Sequence, residues 1–209
     1  MHIGAYMHEM QSFLDDLYLA PLPVLAAVFI AAFGALALVD GFWLHLAKYR
    51  LFARPESRIE HWLHTARAAL FPAIAVLVFA LPTAGPLLWA GVGLLVLDEA
   101  LELADGWVER SSRRREGGLP TGEYLLHGVL IAVRAVAVAF ALVARPAAAW
   151  AWSGAAAASE MVWPEAARTI VMVMLPGAIV GALVHVALGL WYRDAGTPVD
   201  AAPAGAPAT

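Results

Sequence analysis

The sequence predicts an all-α integral membrane protein: a five-transmembrane-helix bundle with its N-terminus outside and its C-terminus cytoplasmic. Three observations carry this. Of 209 residues, 62% are hydrophobic and 14% charged, with a mean hydropathy of +0.72, whereas soluble domains run at about 45–50% apolar and 25% charged. Five stretches reach the roughly 20 mostly apolar residues that cross a bilayer. The Lys and Arg residues gather in alternate loops, the mark of a cytoplasmic face.

Taken in order, residues 1–20 form an external segment. It is acidic where a signal peptide would be basic, and no small-residue cleavage site follows, so no removable leader is expected. Spans are expected at 21–48, 57–81, 85–109, 121–144 and 164–192, within a transmembrane domain of 21–193. Ser57 and Glu60 read as an S-x-x-E capping box, Thr121 as an N-cap, and Pro164 as a first-turn proline. Pro72 and Pro176 fall inside spans, where each should kink its helix. Residues 194–209, rich in Ala, Pro and Gly, read as a disordered cytoplasmic tail.

Orientation follows from the loops. Lys48, Arg50, Arg54 and Arg58 lie between spans one and two, Arg110 and Arg113 to Arg115 between three and four, and Arg193 after five. That face is assigned to the cytoplasm of a multi-pass protein of the inner membrane. On the other face Trp150, Trp152 and Trp163 read as interface anchors. A net charge of -4 leaves no basic patch, so nucleic acid is excluded as a partner. The absence of cysteine excludes disulfides, thiolate metal sites and cysteine nucleophiles. No glycine-rich phosphate loop is present, and no internal repeat suggests a duplicated transporter.

The chemistry lies in the polar residues within the apolar runs. Residues 97–110 read LDEALELADGWVER. Asp98, Glu102, Asp105 and Glu109 recur at i, i+4, i+7 and i+11, one stripe on one helix face. Span two carries Glu60, His61, His64 and Arg67, span four Glu123, His127 and Arg134, span one Asp40 and His45, and span five His185. All are expected in the same leaflet. Intramembrane charge costs about 2.5–3.5 kcal/mol per residue even on lenient scales, so such residues face the bundle interior and mark function. The two deep arginines, Arg67 and Arg134, cannot neutralise Asp40, Asp98, Glu99, Glu102, Asp105 and Glu123 together. Either several acids are protonated or a cation is bound.

The histidines favour a metal. His45, His61, His64 and His127 are the expected nitrogen ligands, joined by Asp98, Glu102, Asp105 and Glu123, with Glu102 nearest the ion. Glu102 and Glu123 are also the expected catalytic carboxylates. Asp40, Arg67, Glu99, Arg134 and His185 are placed around these ligands. Imidazole with carboxylate on facing helices is the chemistry of di-iron and di-manganese carboxylate proteins, although those use Glu-x-x-His and here the spacing is i, i+4. Membrane desaturases and hydroxylases also hold di-iron sites near the cytosolic face, but their dense histidine boxes are absent.

Several residues also have plainer readings. The capping box accounts for Glu60, and Glu109 reads as an interface residue beside Arg110. Asp40 stands about 140° around an α-helix from His45, so the two are not expected to share a centre, and Asp40 is assigned to Arg67 or Arg134. Arg134 is expected to pair with Asp98 or Asp40. His2 and His8 read as solvated.

The expectation is therefore a membrane metalloenzyme with a one- or two-metal His/carboxylate centre near the cytoplasmic leaflet, acting as an oxidase or oxygenase on a lipidic or apolar substrate. The cofactor is a divalent metal: two iron ions are expected, with zinc or manganese as alternatives. Expected partners are the lipid bilayer and that substrate, with a homo-oligomer or redox partner left open. Three alternatives stand beside it: a metal-ion or proton transporter using the acidic stripe, a zinc-dependent hydrolase, and a b-type haem protein using two of His45, His64, His127 and His185.

Overall fold

The computed structural model describes residues 21–114 and 117–192. The expectations for residues 1–20, for Arg115 and for 193–209, including His2, His8, Arg193 and the tail, lie outside them. Among the described residues every regular element is helical. The long helices are α1 (Leu22–Leu38), α2 (Arg58–Ile74), α3 (Gly85–Ser112), α4 (Thr121–Val143) and α5 (Glu165–Trp191). α1 continues into a π-helix over Val39–Lys48, and α2 into a second over Ala75–Ala80. Short 3₁₀ turns and a four-residue helix, Ala157–Glu160, fill the loops.

Four helices are long and apolar enough to cross a membrane: Leu22–Ala53, Pro55–Ala80, Thr121–Val143 and Glu165–Trp191. On these helices apolar side chains such as Val173 and Leu183 are exposed, as suits helices with a bilayer as solvent. α3 is the exception. At 28 residues it exceeds the length of a span, but its second half carries the acids.

The helices form an arc. α3 packs chiefly on α2, α2 also on α5, α5 on α1, and α1 on α4. One end of this arc is apolar and dominated by small residues. Ala26, Ala27, Ala75, Ala137, Ala141 and Ala167 interlock with Ile30, Val78, Phe79 and Val171. Small side chains let membrane helices approach closely, and packing is the main attraction available where lipid is as apolar as protein.

Arg145 closes this end, a residue that the sequence reading passed over. Its guanidinium donates to Val78 O at 2.8 Å and Leu81 O at 3.0 Å, and lies 4.1 Å from the Trp163 ring centroid. Burial brings its pKa down to about 10, still charged at neutral pH. Trp163 donates its indole N–H to Phe79 O and Trp89 donates to Trp150 O, so Trp163 packs against the bundle. Gly85 opens α3 at φ +56°, where an added Cβ would lie 3.1 Å from Trp152 O.

The helix starts differ in detail from expectation. Ser57 precedes α2 but makes no capping hydrogen bond, and Glu60 is engaged elsewhere. Pro120, not Thr121, is the N-cap of α4, and Pro164 is the N-cap of α5.

Candidate metal centre

The π-helix Val39–Lys48 sets the geometry. Its i→i+5 hydrogen bonding, seen where Tyr49 N–H donates to Leu44 O at 2.8 Å, turns the chain less per residue than an α-helix does. Residues five apart therefore come onto one face. Asp40 and His45 are such a pair, and His45 Nε2 lies 3.5 Å from Asp40 Oδ1. The 140° separation expected from α-helical phase does not hold, because this stretch is not α-helical.

Around this pair the other helices bring four ligand-bearing side chains. His127 of α4 places Nε2 at 3.2 Å from Asp40 Oδ1, and Glu123 places Oε1 at 3.3 Å from His45 Nε2. The His64 ring of α2 lies 4.1 Å from that of His45, centroid to centroid, and His64 Nε2 is 3.0 Å from Asp105 Oδ2. Two groups emerge whose ligand atoms lie within 4.8 Å of one another: Asp40, His45, Glu123 and His127, and His45, Glu60 and His64. Two ligands of one ion at about 2.0–2.2 Å are at most about 4.4 Å apart. Small side-chain rotations would thus bring either group onto an ion. His45, fully buried, belongs to both.

Several polar atoms here have no hydrogen-bond partner in the fold, among them His45 Nδ1, Glu123 Oε2, Asp105 Oδ1 and Glu109 Oε1. Each such buried atom costs about 1–3 kcal/mol unless something satisfies it. The three carboxylate oxygens among them could accept a cation.

The stripe on α3 divides between two environments. Its deeper part belongs to arginine. Arg67 reaches Asp98 at 3.1 Å and Glu102 at 3.0 Å; Arg134 pairs with Asp98, with Glu99 and, at 2.6 Å, with Glu102. The expected pairing of Arg134 with Asp98 is thus present, and Glu99 joins it. Glu102, expected nearest the ion, is held by two guanidiniums, and Asp98 with it, because Arg67 and Arg134 reach their carboxylates first. Neither lies in the two ligand groups. The shallower part, Asp105 and Glu109, faces the histidines. Glu109 is buried, with Oε1 3.6 Å from His127 Nδ1, not at the interface beside Arg110.

Three further placements differ from expectation. Asp40 contacts His45 and His127 and not the arginines. His61 donates from Nε2 to His185 O at 3.1 Å and stacks on the His185 ring; neither belongs to the two ligand groups, and His185 lines the adjoining cavity. Glu60 is tied to Ser112 and Arg113 rather than to a cap.

Arg113 is the residue that sequence reasoning missed. Counted there as a loop charge, it is buried at 1% exposure. Its guanidinium bridges Glu60 Oε1 at 2.9 Å and Glu123 Oε1 at 2.7 Å, with the Tyr49 ring 4.8 Å away. Burial alone would lower its pKa, but the two carboxylates hold it above the ordinary arginine value. Charge balance held a hint of it, since two deep arginines were too few for the acids.

No family model, curated protein or solved structure matches this chain. The site is therefore read from its own geometry. The rings of His45 and His64 are too close for a porphyrin between them, and Asp40 Oδ1 occupies the space between His45 and His127, so the geometry gives no support to a haem reading of these pairs.

Proposed function

We propose that this protein is a membrane metalloenzyme whose centre is built on Asp40, His45, Glu60, His64, Glu123 and His127, with Asp105 and Glu109 beside it. The observation that carries the reading is His45, which stands in both groups of ligand atoms. One imidazole nitrogen binds one ion, so either group holds a single ion, and a second ion needs a carboxylate or both ring nitrogens of His45 as the bridge. Charge supports it. Asp40, Glu60, Asp105, Glu109 and Glu123 lie among the histidines, and Arg113 pairs with two of them, Glu60 and Glu123, which leaves the charge of two divalent ions to be balanced when the acids are ionised and the histidines neutral. The arginine cluster at Asp98, Glu99 and Glu102 is nearly self-neutral and needs no ion.

Iron is one of the metals that mixed imidazole and carboxylate ligands suit, and in a site reached by apolar molecules it would supply oxygen chemistry. A cavity of about 510 Å³ adjoins the centre, with Phe33, Phe71 and Met174 on its walls and His64, His127 and Asp40 at its polar end. Its size falls within the range of small-molecule sites, and its walls fit a lipidic or apolar substrate. In this reading the metal supplies oxidative chemistry, Arg113 orients Glu60 and Glu123, and the apolar walls keep bulk water away. α3 serves as a fifth span, with the N-terminus outside and the C-terminus in the cytoplasm of an inner-membrane protein, on the Lys/Arg asymmetry.

The close His64–Asp105 and His127–Asp40 pairs favour one second reading, a metal-free proton relay. Metal analysis with optical and Mössbauer spectra of protein purified from iron-replete cells separates the two. Two irons per chain with a coupled di-iron signature support the proposal. Protein without stoichiometric metal refutes it and leaves the relay.

A further inference from the structure

The arc of helices does not close. α3 packs on α2 and α4 on α1, and α3 is linked to α4 mainly through side chains across their facing surfaces. Into this seam opens a second cleft, lined by Gly106, Glu109, Tyr124, His127, Gly128 and Ile131. Gly106, Glu109, His127 and Ile131 also line the inner cavity. The cleft and the cavity therefore adjoin, with these four residues as the wall between the outside of the bundle and the ligand cluster. Both glycines at the threshold face free space: a Cβ added at Gly106 or Gly128 meets nothing within 4 Å.

The surroundings name the occupant. Trp107, Leu103, Tyr124 and Leu125 flank the seam with exposures of 87%, 71%, 68% and 60%. Side chains so apolar and so exposed belong against lipid, and in the five-span reading the seam faces the bilayer and not water. What adjoins its mouth there is alkyl chain. The route past Gly106 and Gly128 continues to walls of Phe33, Phe71 and Met174, which would hold such a chain along its length.

We propose that the seam between α3 and α4 is a lateral portal, through which the alkyl chain of a membrane-dissolved lipid passes over Gly106 and Gly128 to the cavity beside His64 and His127. This names the route and ligand class of the site proposed above and rests on that reading for its chemistry, but not for its geometry. The ion pairs of Arg134 with Asp98 and Glu102 tie the two helices together at the deep end of the seam. Towards the other end Glu109 approaches His127 at 3.6 Å and Arg113 pairs with Glu123, so the opening lies between these contacts and the arginine pairs, at Gly106 and Gly128.

The test uses the full chain in phosphatidylcholine vesicles with a diazirine-bearing hexadecanol as the probe. After photolysis, adducts are mapped by mass spectrometry, and bound iron is measured on the same preparations. In the wild type, adducts should appear both at the threshold, around Gly106 and Gly128, and in the cavity, around Gly34 and Met174. Gly106→Trp and Gly128→Trp should lower cavity adducts by about tenfold or more, as expected when a ring displaces a few methylenes of chain. Gly106→Ala and Gly128→Ala should not, which controls for folding. Gly177→Trp, on the opposite α5 wall, probes a rival route.

Cavity adducts that persist in both threshold tryptophan variants, that are blocked only by Gly177→Trp, or that are absent from the wild type overturn the portal. The expected pattern in protein without metal keeps the portal and removes the metal reading. Metal bound in every variant, with cavity adducts unaffected by the threshold, does the reverse.

Discussion

His45 Nε2 lies 3.5 Å from Asp40 Oδ1, five residues earlier on the same helix. Only a π-helical register makes that approach, and with it Asp40 becomes a ligand candidate while Glu102 is left to Arg67 and Arg134. The expected ranking of carboxylates is thereby reversed. Asp40→Asn and His45→Ala should each lose most of the bound metal, and Glu102→Gln should keep it. Metal stoichiometry by plasma mass spectrometry decides this: retention in His45→Ala, or loss in Glu102→Gln at unchanged stability, would contradict the assignment.

Arg113 bridges Glu60 and Glu123 at the buried end of the site. Removing one partner of a buried ion pair costs about 3 kcal/mol or more, because the other charges stay behind. Arg113→Ala should therefore lower the unfolding temperature in detergent markedly, while Arg110→Ala, in the next turn and exposed, should leave it nearly unchanged. Arg113→Lys should recover only part of the loss, since an ammonium lacks the planar fork that reaches both carboxylates. Equal effects at Arg110 and Arg113 would count against the bridge.

Arg145 secures carbonyl groups at the end of the second span. Arg145→Ala removes the donor to Val78 O, while Leu81 O keeps the Thr83 N–H, and should cost about 1–3 kcal/mol. Bound metal should be unaffected, because the apolar half of the bundle lies between Arg145 and the centre. Thermal unfolding together with metal content checks both parts, and a loss of metal at unchanged stability would reverse the assignment.

Metal removal should destabilise the fold through the same residues. An ion held at about a hundred times its dissociation constant adds about 2.7 kcal/mol to the folded state. Chelation should thus lower the unfolding temperature of the wild type, and the shift should vanish in the double variant His45→Ala/His127→Ala. A chelator shift of equal size in that variant would place the ion elsewhere.

Much of the molecule was readable before any coordinates. Apolar run lengths located all five long helices, because a bilayer leaves a chain few other ways to satisfy its backbone. Phase along α3 placed Asp105 on the face that meets His64. The pairing of Arg134 with Asp98 followed from depth alone, since a guanidinium that far from the helix start needed the deepest acid. His45, His64, Glu123 and His127 converge, as their common depth suggested.

What only the tertiary structure decided comes from two physical causes. The first is helical register. A sequence read at 100° per residue sets Asp40 apart from His45, whereas the π-helix over Val39–Lys48 brings them together. The second is side-chain reach. Arginine is long enough to leave the loop that its sequence position suggests, so Arg113 can enter the interior between Glu60 and Glu123, and Arg67 and Arg134 can claim the upper half of a stripe that otherwise looked uniform. The sequence by itself determined that the protein crosses a membrane and carries imidazoles and carboxylates at one depth. Packing determined which of those carboxylates meet an arginine and which are left facing His45.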